Sequence, residues 1–198
     1  MGSKATAAHT PTPVSAEGLA QSATRLGRRG PPPVHLWDPP YCGALDIRIA
    51  RDGLWYYLGT PIGRMPLVKL FASILRRDAD DAYYLVTPVE KVGITVDDAP
   101  FVAVDFRLID PGPDQRLVFV TNVGDEAEAG PEHAIRVARD AETGEPSPYI
   151  HIRARLEALI DRKSFYRLVD IGEEADGWFG IRSAGVFFPI IPAAELDI

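Results

Sequence analysis

The segment 46-DIRIARDGLWYYLG-59 contains the pattern on which the fold prediction rests. Ile47 and Ile49 alternate with polar residues, which is typical of a strand with one buried face. The dipeptide Asp52-Gly53 is one that two-residue hairpin turns prefer, and an aromatic run follows it. We therefore predict a β-hairpin over this segment.

The next segment, 60-TPIGRMPLVKLFASILRR-77, has the pattern of an amphipathic helix. Pro66 suits a first helical turn, and Arg76 and Arg77 suit a helix C-terminus. The apolar residues with helical spacing are Leu67, Leu70, Phe71, Ile74 and Leu75. The runs YYLVTP, KVGITV and FVAVDFRL that follow are rich in β-branched and aromatic residues, so they predict strands.

The phrase IRIARD at residues 47–52 returns as IRVARD at residues 135–140. After it come the strand-like run YIHI and then RARLEALID, whose residues Leu156, Leu159 and Ile160 fall on one helical face. The runs SFYRLVDI, GWFGIRS and GVFFPII then predict strands. We interpret this order as a second copy of hairpin, helix and strands.

The predicted fold class is α+β, with two related motifs, mainly antiparallel sheets each with a packed helix, and an N-terminal helical leader. The predicted division is a basic leader at 1–33, a first motif at 34–108 and a second motif at 109–198. In the leader, Ser15 is a suitable N-cap, and a helix with Leu19, Ala23 and Leu26 on one face should stop at Gly30. The proline-rich strap PPPVHLWDPPYCG should run extended. We assign the leader no function.

Composition excludes several classes of protein. With 46% hydrophobic and 25% charged residues the chain is typical of a globular protein, and it lacks the ~18 consecutive apolar residues of a membrane span. Its net charge of −7 disfavours nucleic acid as a partner. The single cysteine, Cys42, excludes a disulfide framework within the chain. We expect a cytoplasmic protein that does not act at a membrane.

Four strings resemble an uncharacterised bacterial family, the domain-of-unknown-function family 1285. They are PPPVHLWDPPYCGALDIRI, GLWYYLGTPIGRMPLVKLFASIL, YYLVTPVEKVGI and LEALIDRKSFYRLVDIG, and the resemblance covers roughly residues 31–191. It implies a mixed α/β fold of two related motifs, with no established reaction and no catalytic residue to carry over.

Standard catalytic and cofactor motifs are missing from the sequence. The histidines lack an HExxH pattern, and no P-loop, GxGxxG or GxSxG occurs. We therefore predict no catalytic residue, no metal and no cofactor. The alternative is an enzyme in which Cys42, activated for example by His35, works in a cleft between the two motifs.

Arginines at predicted helix starts are the first candidates for ligand binding. Arg64 precedes the first helix, and Arg153 with Arg155 opens the second, although the positive end of a helix dipole disfavours cations. Either a neighbouring carboxylate compensates each arginine, or an anionic ligand does so together with helix N–H groups. The carboxylates considered are Glu90, Asp105 and Glu157.

The second candidate is the aromatic surface formed by the strap and the hairpin, where Trp37, Tyr41 and Tyr57 lie. These side chains either cover the hairpin or line a groove for an apolar ligand or a protein. The predicted function is a non-enzymatic module that binds a small anionic molecule or serves in signalling. The alternatives are the enzyme and a module that binds a partner protein.

Overall fold

A computed structural model describes residues 15–25 and 32–196. Two six-stranded sheets, a three-stranded sheet and three α-helices make up this part of the chain. The helices are α1 (Ala16–Thr24), α2 (Met65–Ser73) and α3 (Arg162–Val169), and 3-10 turns form at Val34–Leu36 and Ala193–Glu195. The described helices include none that is long and apolar enough to cross a membrane. The α+β class and the two-part architecture are confirmed.

Sheet A, the sheet of the first unit, has the strand order β3-β2-β1-β6-β5-β4. Its strands are β1 (Tyr41–Ile49), β2 (Trp55–Tyr57), β3 (Thr60–Pro61), β4 (Leu75–Arg77), β5 (Tyr83–Val86) and β6 (Lys91–Val96). The neighbours β1 and β6 are parallel, and the other pairs are antiparallel. Helix α2 connects the edge strand β3 to the opposite edge strand β4.

Sheet B, the sheet of the second unit, has the order β10-β11-β12-β7-β8-β9. Its strands are β7 (Phe101–Ile109), β8 (Arg116–Thr121), β9 (Glu126–Glu128), β10 (Ile135–Arg139), β11 (Pro146–Arg153) and β12 (Leu156–Ile160). Again the first and last strands, β7 and β12, form the parallel pair at the centre. The two sheets therefore share one topology. The predicted boundary between the two motifs, at residues 108 and 109, stays a prediction. Strand β7, which spans this position, pairs with strands of sheet B.

The repeated phrase does not mark equivalent positions in the two units. IRIARD lies in β1 and the turn after it, whereas IRVARD begins in β10, which is an edge strand and the fourth strand of its unit, and ends one residue after it. The strand of the second unit that is topologically equivalent to β1 is β7. The sequences ALDIRI (44–49) in β1 and AVDFRL (103–108) in β7 are alike. The repeat is one of architecture, and our alignment of it by the phrase was wrong.

The first hairpin forms as predicted, with Ile49 opposite Trp55, but its loop is longer than two residues. The Ala50 N–H donates to the Leu54 carbonyl, so the loop contains three residues and has Gly53 in the left-handed conformation at φ +81°. Ile47 and Ile49 are buried, and Arg48 between them is exposed. The predicted alternation is therefore confirmed.

The second predicted helix, RARLEALID, is wrong because the segment forms strand β12. Leu156, Ala158 and Ile160 are its buried positions, so the period of two prevails over the helical spacing of 156, 159 and 160. The helix begins one residue after Asp161, whose side chain accepts a hydrogen bond from the Ser164 N–H at 2.7 Å. It includes most of SFYRLVDI, which we predicted as a strand.

The first predicted helix is shorter than expected, because α2 ends at Ser73 and Leu75–Arg77 is strand β4. Pairing of Leu75 with Leu85 of β5 takes the main-chain groups that a longer helix would use. In the leader, Ser15 caps α1 as predicted, while the predicted stop at Gly30 lies outside the described residues. The strap is not extended throughout, since Val34–Leu36 forms a 3-10 turn.

Sheet C follows α3 and consists of β13 (Glu173–Ala175), β14 (Trp178–Ser183) and β15 (Val186–Pro192), paired antiparallel. It joins the second unit through Ser183, a buried serine of β14. Its hydroxyl accepts from the Leu117 N–H at 2.9 Å and donates to the Ala129 carbonyl at 2.7 Å. Buried side chains from both units and from α1 form one connected hydrophobic core.

Gly53 in the loop of the first hairpin touches the second unit. Its carbonyl accepts a hydrogen bond from Asn122 Nδ2 at 3.1 Å, and Asn122 Oδ1 accepts from the Val102 N–H at 3.1 Å. A Cβ atom at Gly53 would lie 2.5 Å from Asn122 Nδ2 and 2.9 Å from Val102 Cγ2. This contact between the units therefore requires glycine for both its space and its φ angle.

Gly53→Ala should lower the free energy of unfolding by about 2 to 4 kcal/mol, because it adds overpacking to a left-handed backbone cost. Gly59→Ala is the matched control, since Gly59 also has a positive φ, +72°, and a Cβ there would meet nothing within 4 Å. The control should lose only about 1 kcal/mol. Urea unfolding of both variants measures the difference, and equal losses would contradict the close contact.

Asp78, after β4, positions Arg76, and Arg76 binds the strap. Its carboxylate accepts hydrogen bonds from Arg76 Nε at 2.5 Å and from Lys91 Nζ at 3.1 Å. Arg76 Nη1 also donates to the carbonyls of Val34 and Trp37 at 2.8 and 2.7 Å. Burial raises the pKa of Asp78, but the hydrogen bonds and charges of Arg76 and Lys91 outweigh burial, so the pKa lies below its ordinary 3.8.

Because the pKa of Asp78 is lower in the folded than in the unfolded chain, its carboxylate stabilises the fold above about pH 3.8, and this stabilisation is lost as the pH falls. Asp78→Asn should cost about 1 to 3 kcal/mol at pH 7. The difference from wild type should shrink below pH 4. Chemical unfolding at several pH values measures it, with Asp38→Asn on the exposed part of the strap as the control. A difference that is unchanged between pH 7 and pH 3 would contradict this assignment.

Candidate functional site

A groove between α1, the β2–β3 hairpin and α2 brings together two of the predicted site residues, Tyr57 and Arg64. Its volume is about 440 Å³. We call it the α1/α2 groove, and its lining residues are Ala16, Glu17, Ala20, Tyr57, Thr60, Pro61, Ile62, Gly63, Arg64, Leu67 and Phe71. Apolar side chains form most of this wall, with Arg64 as its cation and Glu17 as its anion.

The groove exists because α1 presents small side chains to it. Ala16 and Ala20 are four residues apart, so they lie on the same face of the helix. Leu19 of α1 is fully buried and anchors the helix to the core. A helix with short side chains along one side of its contact with α2 leaves a space there. The leader, to which we assigned no function, thus supplies one wall of the groove.

Arg64 is the N-cap residue of α2, and its side chain is exposed. The predicted position immediately before the helix is therefore confirmed. In the described part of the chain, other arginines form salt bridges with carboxylates, but Arg64 forms none. Arg64 lines the groove, and it also lines a second cleft beside Lys69 and Leu70.

The main chain at the start of α2 offers few donors to an anion. Pro66 has no N–H group, and the Leu67 N–H donates to the Arg64 carbonyl at 2.9 Å. Of the first three helical residues, only Met65 therefore retains an N–H that can point outward. An anion in the groove would depend on the Arg64 guanidinium far more than on the helix terminus.

Tyr57 lies on the opposite side of the groove, on strand β2 and opposite Ile47 of β1. Its ring is half-buried and packs against the hydrophobic core. Phe71 of α2 lies at the base and stacks on the buried Trp55, with ring centroids 6.3 Å apart. The floor of the groove is thus continuous with the core of the first unit.

Arg153 does not open a helix, which corrects the prediction. It is the last residue of β11, because the predicted second helix is strand β12. Its guanidinium donates to the Asp125 carboxylate and, at 2.7 Å, to the Ala72 carbonyl at the end of α2. It also lies over the Phe101 ring, 5.0 Å from the centroid. These contacts join the second unit to the first.

Arg155 occupies the turn between β11 and β12, so its predicted place in a helix is also wrong. It donates to the Asp78 carbonyl and, at 2.6 Å, to the Asp81 carboxylate in the first unit. Two of the carboxylates that we considered as partners of these arginines pair with other arginines. Asp105 pairs with Arg167, and Glu157 pairs with Arg136.

Trp37 and Tyr41 do not line the α1/α2 groove. Trp37 is half-buried and its carbonyl accepts from Arg76, while Tyr41 is 58% exposed. The Tyr41 ring meets Tyr84 edge to face, with centroids 6.1 Å apart. The hydroxyl of Tyr84 donates to Asp80 at 2.7 Å, and this hydrogen bond raises the pKa of Tyr84 to about 12. Their role in binding stays a prediction.

The enzyme alternative requires a base near Cys42. This cysteine is exposed on β1, and its thiol donates to the Pro40 carbonyl at 3.4 Å. A carbonyl oxygen cannot take the proton as a catalytic base does. In the described residues, the hydrogen bonds of Cys42 include none to a histidine or a carboxylate. Likewise, residues 15–25 and 32–196 contain no group of three side chains placed to hold a metal ion.

Comparison with known proteins gives two family matches. The profile described as the N-terminal domain of DUF1285, a domain of unknown function, matches residues 32–99. The profile described as the C-terminal domain of the protein of unknown function DUF1285 matches residues 100–190. The search of curated proteins finds no match.

Two solved structures are similar to this chain. A DUF1285 family protein from Silicibacter pomeroyi DSS-3 is 60% identical, with a TM-score of 0.85, and the match covers 91% of this chain and 98% of that one. A DUF1285 family protein from Shewanella baltica OS155 is 32% identical, with a TM-score of 0.50, over 64% of this chain and 92% of that one. Both family domains and a highly similar relative agree, so the chain belongs to the DUF1285 family, as its sequence predicts.

Proposed function

We propose that the protein binds a small molecule with one negatively charged group on an apolar body, and that the α1/α2 groove is its site. The observation that carries the proposal is that Arg64, an arginine without a carboxylate partner in the described chain, lines a mainly apolar groove. A volume of about 440 Å³ falls within the range of small-molecule sites, which is roughly 300 to 1,000 Å³.

The chemistry of the lining residues supports this class of ligand. The guanidinium of Arg64 forms two parallel hydrogen bonds with a carboxylate or phosphate. The side chains of Tyr57, Leu67 and Phe71 offer apolar contact to the body of the ligand. Glu17 on the opposite wall repels a second negative charge. A monoanion with an apolar body fits this arrangement better than a polyanion does.

Binding without a reaction is the role that these side chains favour. Acid–base catalysis needs a positioned group with a pKa near the working pH, and arginine does not lose its proton in that range. Glu17 is an exposed carboxylate on a helix, and Tyr57 carries a phenol. We propose a ligand-binding or signalling-associated module in the cytoplasm, where the exposed thiol of Cys42 would remain reduced.

A second candidate, docking of a partner protein on the same face, is favoured by Leu58. This residue lies in the two-residue turn between β2 and β3, has φ +50° and is 65% exposed. A bulky residue in the left-handed region is uncommon, and an exposed leucine there gains little from packing. Met65, also exposed, lies at the start of α2. An apolar partner surface would cover both side chains.

Octanoate, a monoanion with an apolar chain, should raise the melting temperature of the wild-type protein. At about 100 times the dissociation constant the rise should be roughly 5 to 10 °C. Arg64→Ala should weaken binding by about tenfold or more, because it removes a charge-assisted hydrogen bond. Thermal-shift titrations measure both effects, and inorganic phosphate tests for binding by charge alone.

Arg162→Ala provides the matched control, since Arg162 is an exposed arginine at the start of α3, outside the groove. It should leave octanoate binding unchanged. Ala20→Phe fills the groove without changing its charge, and it should abolish binding while Arg64 remains. Equal effects of Arg64→Ala and Arg162→Ala, or no response to octanoate, would contradict the proposal. The second candidate would be favoured if a partner protein co-purified with the wild-type protein and the groove variants but not with Leu58→Asp.

A further inference from the structure

Glu17 is the acidic residue of the α1/α2 groove. It lies in the first turn of α1 and is exposed. Within residues 15–25 and 32–196, the salt bridges include none with Glu17 and none with Arg64. These two are the charged residues of the groove lining. The groove therefore contains one unpaired charge of each sign.

Acidic residues that line other clefts of the described chain have partners. Four of them pair with arginines, and the pairs are Asp125 with Arg153, Glu126 with Arg107, Glu145 with Arg162 and Glu195 with Arg139. A fifth, Asp161, accepts a hydrogen bond from the Ser164 N–H at the start of α3. Glu17 differs from all of them, because its carboxylate is available to a ligand.

The position of Glu17 in α1 also has a local cause. A carboxylate in the first turn of a helix interacts favourably with the helix dipole. Ser15 already caps this end, since its hydroxyl accepts a hydrogen bond from the Gly18 N–H at 3.1 Å. The dipole explains why an acid suits position 17. It does not account for an unpaired arginine on the opposite wall of the same groove.

Glu17 and Arg64 do not pair with each other, although their charges are opposite. Their nitrogen and oxygen atoms lie farther apart than the 4.0 Å of a salt bridge. The groove that they line has a volume of about 440 Å³, and Tyr57, Leu67 and Phe71 belong to the rest of its lining. A ligand in this space meets a cation on one wall, an anion on the other and apolar side chains elsewhere.

We infer that the ligand of the α1/α2 groove is an apolar zwitterion, which carries an ammonium group as well as the anionic group that binds Arg64. This ligand class rests on the function proposed above and narrows it. The ammonium group donates to the Glu17 carboxylate, and the anionic group accepts from the Arg64 guanidinium. Aliphatic amino acids are the simplest molecules with this chemistry.

Glu17 determines which ligand is preferred. A simple monoanion brings a second negative charge toward Glu17 and leaves its carboxylate unpaired. An ammonium group on the ligand offsets this repulsion and adds an ion pair. Because Glu17 is exposed, water weakens the ion pair, and the expected gain in affinity is about two- to fivefold. Arg64 and the apolar lining supply the larger part of the binding.

Isothermal titration calorimetry at pH 7 on the wild-type protein tests this preference with four probes of equal chain length. They are octanoate, 2-aminooctanoate, whose charges are adjacent, 8-aminooctanoate, whose charges are at opposite ends, and octylamine. At least one of the two zwitterions should bind about two- to fivefold tighter than octanoate. Octylamine should bind more weakly than octanoate, because it leaves Arg64 without an anion.

The variant Glu17→Gln should remove the advantage of the zwitterion, so that its dissociation constant becomes about equal to that of octanoate. Octanoate should bind this variant slightly tighter than wild type, because the repulsion is gone. Glu174→Gln is the matched control, since Glu174 is an exposed glutamate on β13, outside the groove. The control should keep the wild-type ratio of the two dissociation constants.

Two results would overturn the zwitterion and leave the proposed function standing. One is binding of octanoate with no advantage for either zwitterion, and the other is an advantage that persists in Glu17→Gln. If neither octanoate nor a zwitterion binds, the proposed function is wrong and the zwitterion with it. Should Glu17→Gln fail to fold, the comparison of the four probes on wild type still decides between these outcomes.

Discussion

The parallel pairing of the first and last strands of each unit is the constraint on which the rest of the structure depends. In sheet A these strands are β1 and β6, and in sheet B they are β7 and β12. Parallel neighbours cannot be joined by a tight turn, so the chain has to leave the centre, reach one edge and return from the other. Each unit therefore needs a crossover from edge to edge.

The two units make that crossover in different ways, and the candidate site follows from the way in which the first unit makes it. The first unit uses α2, which packs beside α1 and so forms the groove that contains Arg64. The second unit uses the short connection 129–134, and strand β9 comes into contact with β11, which indicates a strongly curled sheet. The groove thus follows from the crossover of the first unit, and the crossover of the second unit has a different local structure.

How far the sequence predicts the fold depends on which signals compete within a segment. The first hairpin and most strands are clear because alternation and turn residues agree there. In RARLEALID, alternation and helical spacing are both present, and pairing with β7 and β11 decides for a strand. Asp161 was a usable signal for α3, because it precedes Ser164 at the spacing of an N-cap. The end of α2 could not be found locally, since pairing with β5 stops the helix.

The candidate site shows the same division between local and distant causes. Arg64 could be predicted at a helix start, because Pro66 marks the helix in the sequence. The binding of Arg153 and Arg155 to main-chain carbonyls of the other unit could not be predicted. These carbonyls come from the end of α2 and the turn after β4, which are distant in sequence. Every residue carries a main-chain oxygen, so no residue type in the sequence reveals such a partner.

The contacts of the arginines also determine which of them remains available to a ligand. A guanidinium that binds a carboxylate and a carbonyl has few donors left, and displacing those partners would expose a buried helix end and weaken the join between the units. Arg153 and Arg155 are committed in this way. Arg64 lies at the exposed start of α2, so an anion that binds it breaks no salt bridge of the described residues. Ligand binding at the groove therefore leaves the join between the units intact.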